Sequence, residues 1–428
     1  MTSKISRRRL LGTAAAATAV TTFMGPWKVT SALAQSERPI NIGITSDASG
    51  QYANSGASDR RGMLMAIDEA NEAGGVLGRR IEHIHIDTET TAATGSRVAE
   101  RMISREECGF LIGAVHSGVA NAISQVAQRY GAIYLNTNSS SPTESGENCH
   151  RVKFVWDGNG SNFAKAAVKN SLDAYGSNVL LLTNDYVWGH DTSAATRRLV
   201  EAYGGTIQDE ILIPQGTRDF SAALLTIQQA KPAVVAAAIG GDDLTSLRQQ
   251  VSQLGMGQSP AWINNQQDWP DIYGLPVDTL FGVFGTTWYY GLDLPGVAEF
   301  VAKYQAKYPD TSMRVPGNVF YNGYMATREL LAAIERAGST NNIEIIKQLE
   351  GHKMSAADRM QHHDAWIDPV THQVQQSIYL ATANTEAGDD KDNMFKILTQ
   401  SAPEDVLDEA AAGACKLESY EDTPTFDA

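Results

Sequence analysis

The sequence predicts an α/β protein of two doubly wound lobes, with the chain crossing between them three times. Two observations carry this reading. From residue 40 short apolar runs alternate with helical segments of one to two dozen residues, the signature of parallel strands linked by right-handed crossovers. The alternation then restarts just after Ser161, so a second sheet follows the first.

In chain order, INIGI (40–44) is a strand. ASDRRGMLMAIDEANEAGG follows with Met63, Met65, Ala66 and Ala70 at helical spacing and a Gly-Gly stop. RIEHIHI is a strand, ATGSRVAERMIS a helix, GFLIGAV a strand, GVANAISQVAQRYG a helix and AIYLN a strand. SSSPTESGENCHRVKFVWDGNGS is polar and turn-rich, and reads as the first crossover. The second series runs FAKAAVKNSLDAYG, NVLLLTN, TSAATRRLVEAYGG, TIQDEILI, SAALLTIQQAK, PAVVAAAIG, DLTSLRQQVSQLG and SPAWINN, helix and strand in turn. A second crossover is expected at GVFGTTWYYGLDLPG. Beyond it lie the helices GVAEFVAKYQAKYP and FYNGYMATRELLAAIERAG, and a third crossover after IEIIKQLEG. AWIDPV and QQSIYLATA are expected as the last strand pair. These crossovers divide the chain into one lobe of 38–155 and 288–352 and another of 156–287 and 353–400. Residues 401–428 form an acidic, Ala-rich tail expected to pack loosely.

The N-terminus bears on location. Ser6, Arg7, Arg8, Arg9, Leu10 and Leu11 match the twin-arginine export pattern, followed by the weakly apolar GTAAAATAVTTFMG and a small-x-small site at Ala32-Leu33-Ala34. Residues 1–34 are therefore expected to be a cleaved signal peptide and the mature chain to be periplasmic, without a membrane span. Their removal lowers Lys plus Arg from 34 to 29 against 49 acids, so the net charge moves from −15 to −20. A chain this acidic is a poor partner for nucleic acid. Of three cysteines, Cys108 precedes an apolar strand, while Cys149 and Cys415 lie in polar sequence. A Cys149–Cys415 disulfide is expected to staple the tail. No cysteine pair has zinc spacing, and His362, His363 and His372 lack the i, i+4 geometry of ligands and read as solvated surface. No metal or cofactor is expected.

In open α/β sheets ligands bind beyond the carboxyl ends of the strands, where helix N-termini converge. Ser117, in GAVHSGVAN, falls there, as do Asn138, Ser139 and Ser140 of the next strand end. An ordinary N-cap is one role for Ser117, worth ~1 kcal/mol. Catalysis is disfavoured: a nucleophile elbow wants Gly where Val115 and Val119 stand. Two neighbouring strand ends rich in hydroxyl and amide donors point instead to an anion site.

Jointly SGQYANSGASDRRGMLMAIDEANEAGGVLGRRIE, GAVHSGVANAISQVAQRYGAIYLNTNSSSPTE, DYVWGHDTSAATRRLVEAYGG and TRDFSAALLTIQQAKPAVVAAAIGGDD resemble the type I periplasmic solute-binding proteins of ABC importers, of the leucine/isoleucine/valine-binding kind. The resemblance spans roughly residues 38–385. It implies Rossmann-like lobes that close on a small ligand like a Venus flytrap and then dock, as a monomer, on permease subunits. No reaction is implied. Ser117 matches the family's carboxylate-binding serine, with Asn138 and Ser140 the pair on the next strand end. Trp188 stands near the aromatic that covers the ligand. Asp242 follows its strand at the cleft edge, where it could pair with a ligand ammonium or cap the next helix; Gln266 lies near the place of the ammonium-binding glutamate of the amino-acid binders, from which the amide-rich INNQQDW departs. Ser55 replaces a residue that is often aromatic, leaving room for a larger ligand, and Tyr321 sits at a cleft-facing helix start. The expected ligand is a small carboxylate-bearing solute: an amino acid, amide or aromatic acid. A ligand-sensing subunit on the same fold and an exported hydrolase are the rival readings.

Overall fold

The computed structural model describes residues 38–388 and 390–428; the signal-peptide segment lies outside them. Two sheets dominate. The first has the order β2-β1-β3-β4-β5, built from Ile40–Ile44, Ile81–His85, Phe110–Gly113, Ile133–Asn136 and Lys153–Val155 as β1 to β5, all parallel. Helices α1 (Ala53–Glu72), α2 (Ala92–Ser104) and α3 (Ser117–Tyr130) are its crossovers. Such strands are covered on both faces, so they carry unbroken apolar runs rather than alternation; Phe110, Leu111 and Ile112 are all buried.

The second sheet starts with helix α4 (Gly160–Tyr175). Strands β6 (Asn178–Asn184), β7 (Thr206–Ile213), β8 (Val234–Ala238), β9 (Ala261–Gln266) and β10 (Val283–Thr286) alternate with α5 (Val187–Ala202), α6 (Ser221–Ala230), α7 (Gly241–Gln253) and the short α8 (Trp269–Ile272). Helices α9 (Val297–Lys307), α10 (Asn318–Ala337) and α11 (Asn342–Leu349) come next, and α10 packs along α1 of the first lobe.

The C-terminal part departs from expectation. Residues Ala365–Ile367 (β12) do not pair with the next long strand. They form a small sheet with β11 (Lys353–Met354) and β13 (Val374–Gln375), which touches β5 through Val155 and Gln373. Strand β14 (Ile378–Ala383) instead lies antiparallel between β10 and β15 (Phe395–Ser401), completing the order β15-β14-β10-β9-β8-β6-β7.

The tail is also tied down rather than loose. Cys149 and Cys415 are joined by a disulfide, and Asn342 N donates to Phe426 O at 2.9 Å. Arg79 Nη1 reaches the carbonyl of Ala428 at 3.0 Å, beside an Asn341–Asp427 bridge. These links join the tail to the first lobe. His372 is likewise not solvated: it is buried, stacks on Phe154 at 4.3 Å, and its Nε2 lies 2.9 Å from Glu350 Oε1. The described residues contain no helix long and apolar enough to cross a membrane.

Candidate functional site

The carboxyl ends of β3 and β4 in one lobe face those of β6, β8 and β9 in the other. Between them lies a cavity in which the centre of a water molecule has about 30 Å³ to occupy. Its walls include Tyr52, Asn138, Ser140, Tyr186, Trp188, Gln266, Asp268 and Asp271, and no Lys or Arg.

Hydrogen bonds cross the gap on every side. The Tyr52 and Tyr186 hydroxyls meet at 2.5 Å, and Gln51 Nε2 donates to Gly240 O at 3.0 Å. Ser140 Oγ donates to Gln266 Oε1 at 2.5 Å, Ser55 Oγ to Asp271 Oδ1 at 3.0 Å, and Thr143 Oγ1 to Asp191 Oδ2 at 2.6 Å. Gly241 permits the close approach. Its φ is +56°, and a Cβ there would lie 2.9 Å from the backbone oxygen of Gln51, so a side chain would be both strained and obstructed. The lobes are thus closed on one another.

The strand β3 ends where Gly113 and Ala114 take φ of +132° and +80°, turning the chain toward α3. His116, not Ser117, caps that helix: its Nδ1 accepts from the backbone N–H of Gly118 (3.1 Å) and Val119 (3.4 Å). The ring stacks on Tyr186 of the opposite lobe at 4.7 Å, and Nε2 lies 3.0 Å from Gln215 Nε2. Burial pushes the His116 pKa down to about 4, so the imidazole is neutral near pH 7 and free to accept.

Of the residues singled out from sequence, Asn138, Ser140, Trp188 and Gln266 line the cavity. Trp188 is buried and its Nε1–H has no partner. The others sit elsewhere. Ser117 lies at the first turn of α3, as its place after a strand implies, but its Oγ accepts the backbone N–H of Trp188 at 3.1 Å and ties the lobes together. Ser139 donates to the buried Glu144, which also lies 3.6 Å from Lys153 Nζ, a support behind the strand end. Ser55 reaches the cavity only through its bond to Asp271. Asp242 points to the rim, where it pairs with Arg218 at 3.0 Å. Tyr321 is buried in the core; its hydroxyl donates to Arg359 O at 2.5 Å and its ring stacks on Trp288 at 4.9 Å.

The cavity-lining residues that sequence reasoning did not single out include Tyr52, Tyr186, Asp268 and Asp271. Tyr186 is the residue preceding α5, two before Trp188, so the ring nearer the strand end faces the cleft as well. Asp268 precedes α8 and Asp271 lies within it. The D-x-x-D spacing puts both on one face of a single turn, a signal legible in QDWPD. Asp268 accepts from Asn318 Nδ2 at 2.8 Å and Gln266 Nε2 at 3.1 Å. Burial raises the pKa of both carboxyls, that of Asp271 well above the usual range. Asp157, behind Gln266, is raised by burial to about 8, and Asp47, which accepts from Val115 N, to about 6. The cleft is thus lined and backed by buried acids whose charged form lacks a facing cation, with the Asn138 amide and the Ser140 hydroxyl on its walls. That set suits a solute that brings positive charge and an acceptor together.

The periplasmic binding protein family model matches residues 39–390. The Leu/Ile/Val-binding protein BraC3 of Rhizobium johnstonii is 26% identical over 72% of this chain and 82% of its own. A crystal structure of a periplasmic binding protein from Burkholderia mallei superimposes with a TM-score of 0.80 at 22% identity, over 88% of this chain and 99% of that one. A solute-binding protein of an ABC transporter from Rhodopseudomonas palustris, in complex with 3,4-dihydroxybenzoic acid, gives 0.76 at 19% identity over 85% and 98%. With most of its length matched by the family model and its two lobes closed on a cleft, the chain belongs to the periplasmic binding protein family.

Proposed function

We propose that this protein captures a small solute bearing an ammonium and a carboxylate or amide, and delivers it in the closed form to the permease subunits of an ABC importer. The single observation that carries this is the cavity between the two lobes, whose lining combines the acids Asp268 and Asp271 with the amide and hydroxyl groups of Asn138 and Ser140. Ser140 and Asn138 would hold the acceptor end, Trp188 would cover the solute, and Asp268 with Gln266 would hold the ammonium. An amino acid or related amide fits that division better than an aromatic acid, whose lone carboxylate would face Asp268 and Asp271. The Leu/Ile/Val-binding relative supports the same choice. Export by the twin-arginine route, action as a monomer, and a division at residues 155–156, 287–288 and 352–353 complete the reading.

The test is calorimetry on mature protein, refolded to remove copurified solute, against amino acids, amides and aromatic acids. A ligand that binds only the native state should add ~2.7 kcal/mol of stability at a hundredfold its dissociation constant. Binding confined to aromatic acids would overturn the assignment of Asp268.

A further inference from the structure

We propose that the solute carries two cationic nitrogens a few bonds apart, with Asp271 as the residue that selects for the second; this rests on the reading of the cleft as an ammonium site. One carboxylate suffices for one ammonium, and Asp268 is already oriented for it by Asn318 and Gln266. Asp271 adds another carboxylate on the same cavity wall, one helical turn on, where side chains three residues apart start roughly 5–6 Å from each other. Its contact across the gap is a neutral hydroxyl, Ser55 Oγ. No Lys or Arg lines the cavity, so neither carboxylate meets a protein cation there. An unpaired carboxylate in such a place costs free energy unless it is neutralised.

Besides the acids, the cavity wall carries the amide of Asn138 and the hydroxyl of Ser140, polar groups that can meet a ligand acceptor. Three aromatic rings, Tyr52, Tyr186 and Trp188, complete the walls, and rings favour a cation over their faces. A short dibasic amino acid supplies both nitrogens and a carboxylate for Asn138 and Ser140; a diamine supplies the nitrogens alone. Their shared chemistry is the pair of cationic nitrogens.

The experiment is calorimetry with the stripped mature protein and an Asp271→Asn variant, using 2,4-diaminobutyrate, ornithine, 1,4-diaminobutane, leucine and benzoate. The expected result is that a dicationic probe binds best, and that D271N weakens it by at least about tenfold more than it weakens leucine, the signature of a lost second ion pair. Ornithine binding without 1,4-diaminobutane assigns the dibasic amino acid, and the reverse assigns the diamine. Leucine or benzoate binding the wild type better than every dicationic probe would overturn the proposal while leaving solute capture standing. Equal losses for dicationic probe and leucine in D271N would also overturn it, because a purely structural role of the Ser55–Asp271 bond moves both alike. Failure of every probe to bind would remove the ammonium reading as well. Circular dichroism of D271N, and the variant Ser55→Ala, which breaks the same bond but keeps the charge, separate misfolding from lost selectivity.

Discussion

Replacing His116 with Asn should change how the stability of the closed protein depends on pH, and the magnitude follows from its surroundings. His116 caps α3 through Nδ1, stacks on Tyr186 and lies against Gln215 from the opposite lobe. Its folded pKa is held down to about 4 by burial, against ~6.5 in an unfolded chain. A depressed histidine binds its proton more readily in the unfolded state. Its contribution is therefore fully present above pH 6.5 and is lost as pH falls from there toward 4. At pH 5 the linkage amounts to roughly 2 kcal/mol relative to pH 8.

The carboxyls near it, Asp47 on the same lobe and Asp243 on α7 opposite, are raised by burial. They work in the other sense, favouring the native state as pH falls, which is why the variant comparison is needed. Asn keeps an acceptor for the helix N–H groups but cannot titrate. It loses the ring contact, about 1 kcal/mol. In urea unfolding from pH 8 to 5, H116N should start about 1 kcal/mol below wild type and finish level with it or above. Parallel curves across that range would refute the claim that a buried neutral imidazole joins the lobes.

Other perturbations have simpler outcomes. Ser140→Ala removes a hydroxyl that donates to Gln266 at the cavity wall and should weaken solute binding by ~1–3 kcal/mol, read by calorimetry. Ser117→Ala removes only the acceptor for Trp188 N, so it should cost about 1 kcal/mol of closure; a loss as large as that of Ser140→Ala would restore Ser117 to the ligand. Tyr321→Phe should lower stability by about 1 kcal/mol through the bond to Arg359 O and leave the solute dissociation constant unchanged. Replacing Cys149 and Cys415 with Ser opens a link between residues 266 apart and should cost about 2–5 kcal/mol of stability, read as a lower Tm with unaltered binding.

The lobes were legible in sequence because buried parallel strands are uninterrupted apolar runs: NVLLLTN and PAVVAAAIG need no context to be read. FKILTQS, by contrast, lies at the sheet edge and is mostly polar, so β15 carried no such signal and β14 was given the wrong partner. The tail misled for a related reason. Its attachment is made by a disulfide and by bonds to residues far away in sequence, such as those of Glu418 with His150 and Arg151, which an acidic, Ala-rich composition does not reveal. At the cleft, strand-end position pointed to Asn138 and Ser140, and the family resemblance to Trp188 and Gln266, all four of which line the cavity. What these signals missed depends on lobe docking. Whether Ser117 faces ligand or the Trp188 backbone is decided by how the lobes meet. Asp242 and Asp271 were exchanged in the same way: the acid on α7 turns to Arg218 at the rim, and the one on α8 turns inward.

One measurement tests the ammonium-binding cleft most directly. The best amino-acid ligand and its Nα-acetylated form, alike except for the positive charge, would be titrated into stripped wild-type protein and an Asp268→Asn variant. Acetylation should abolish binding to the wild type, a loss of at least about a hundredfold, or ~2.7 kcal/mol, and should matter far less in D268N. If the acetylated form binds wild type as tightly as the parent, Asp268 does not read an ammonium and the cleft serves a different solute.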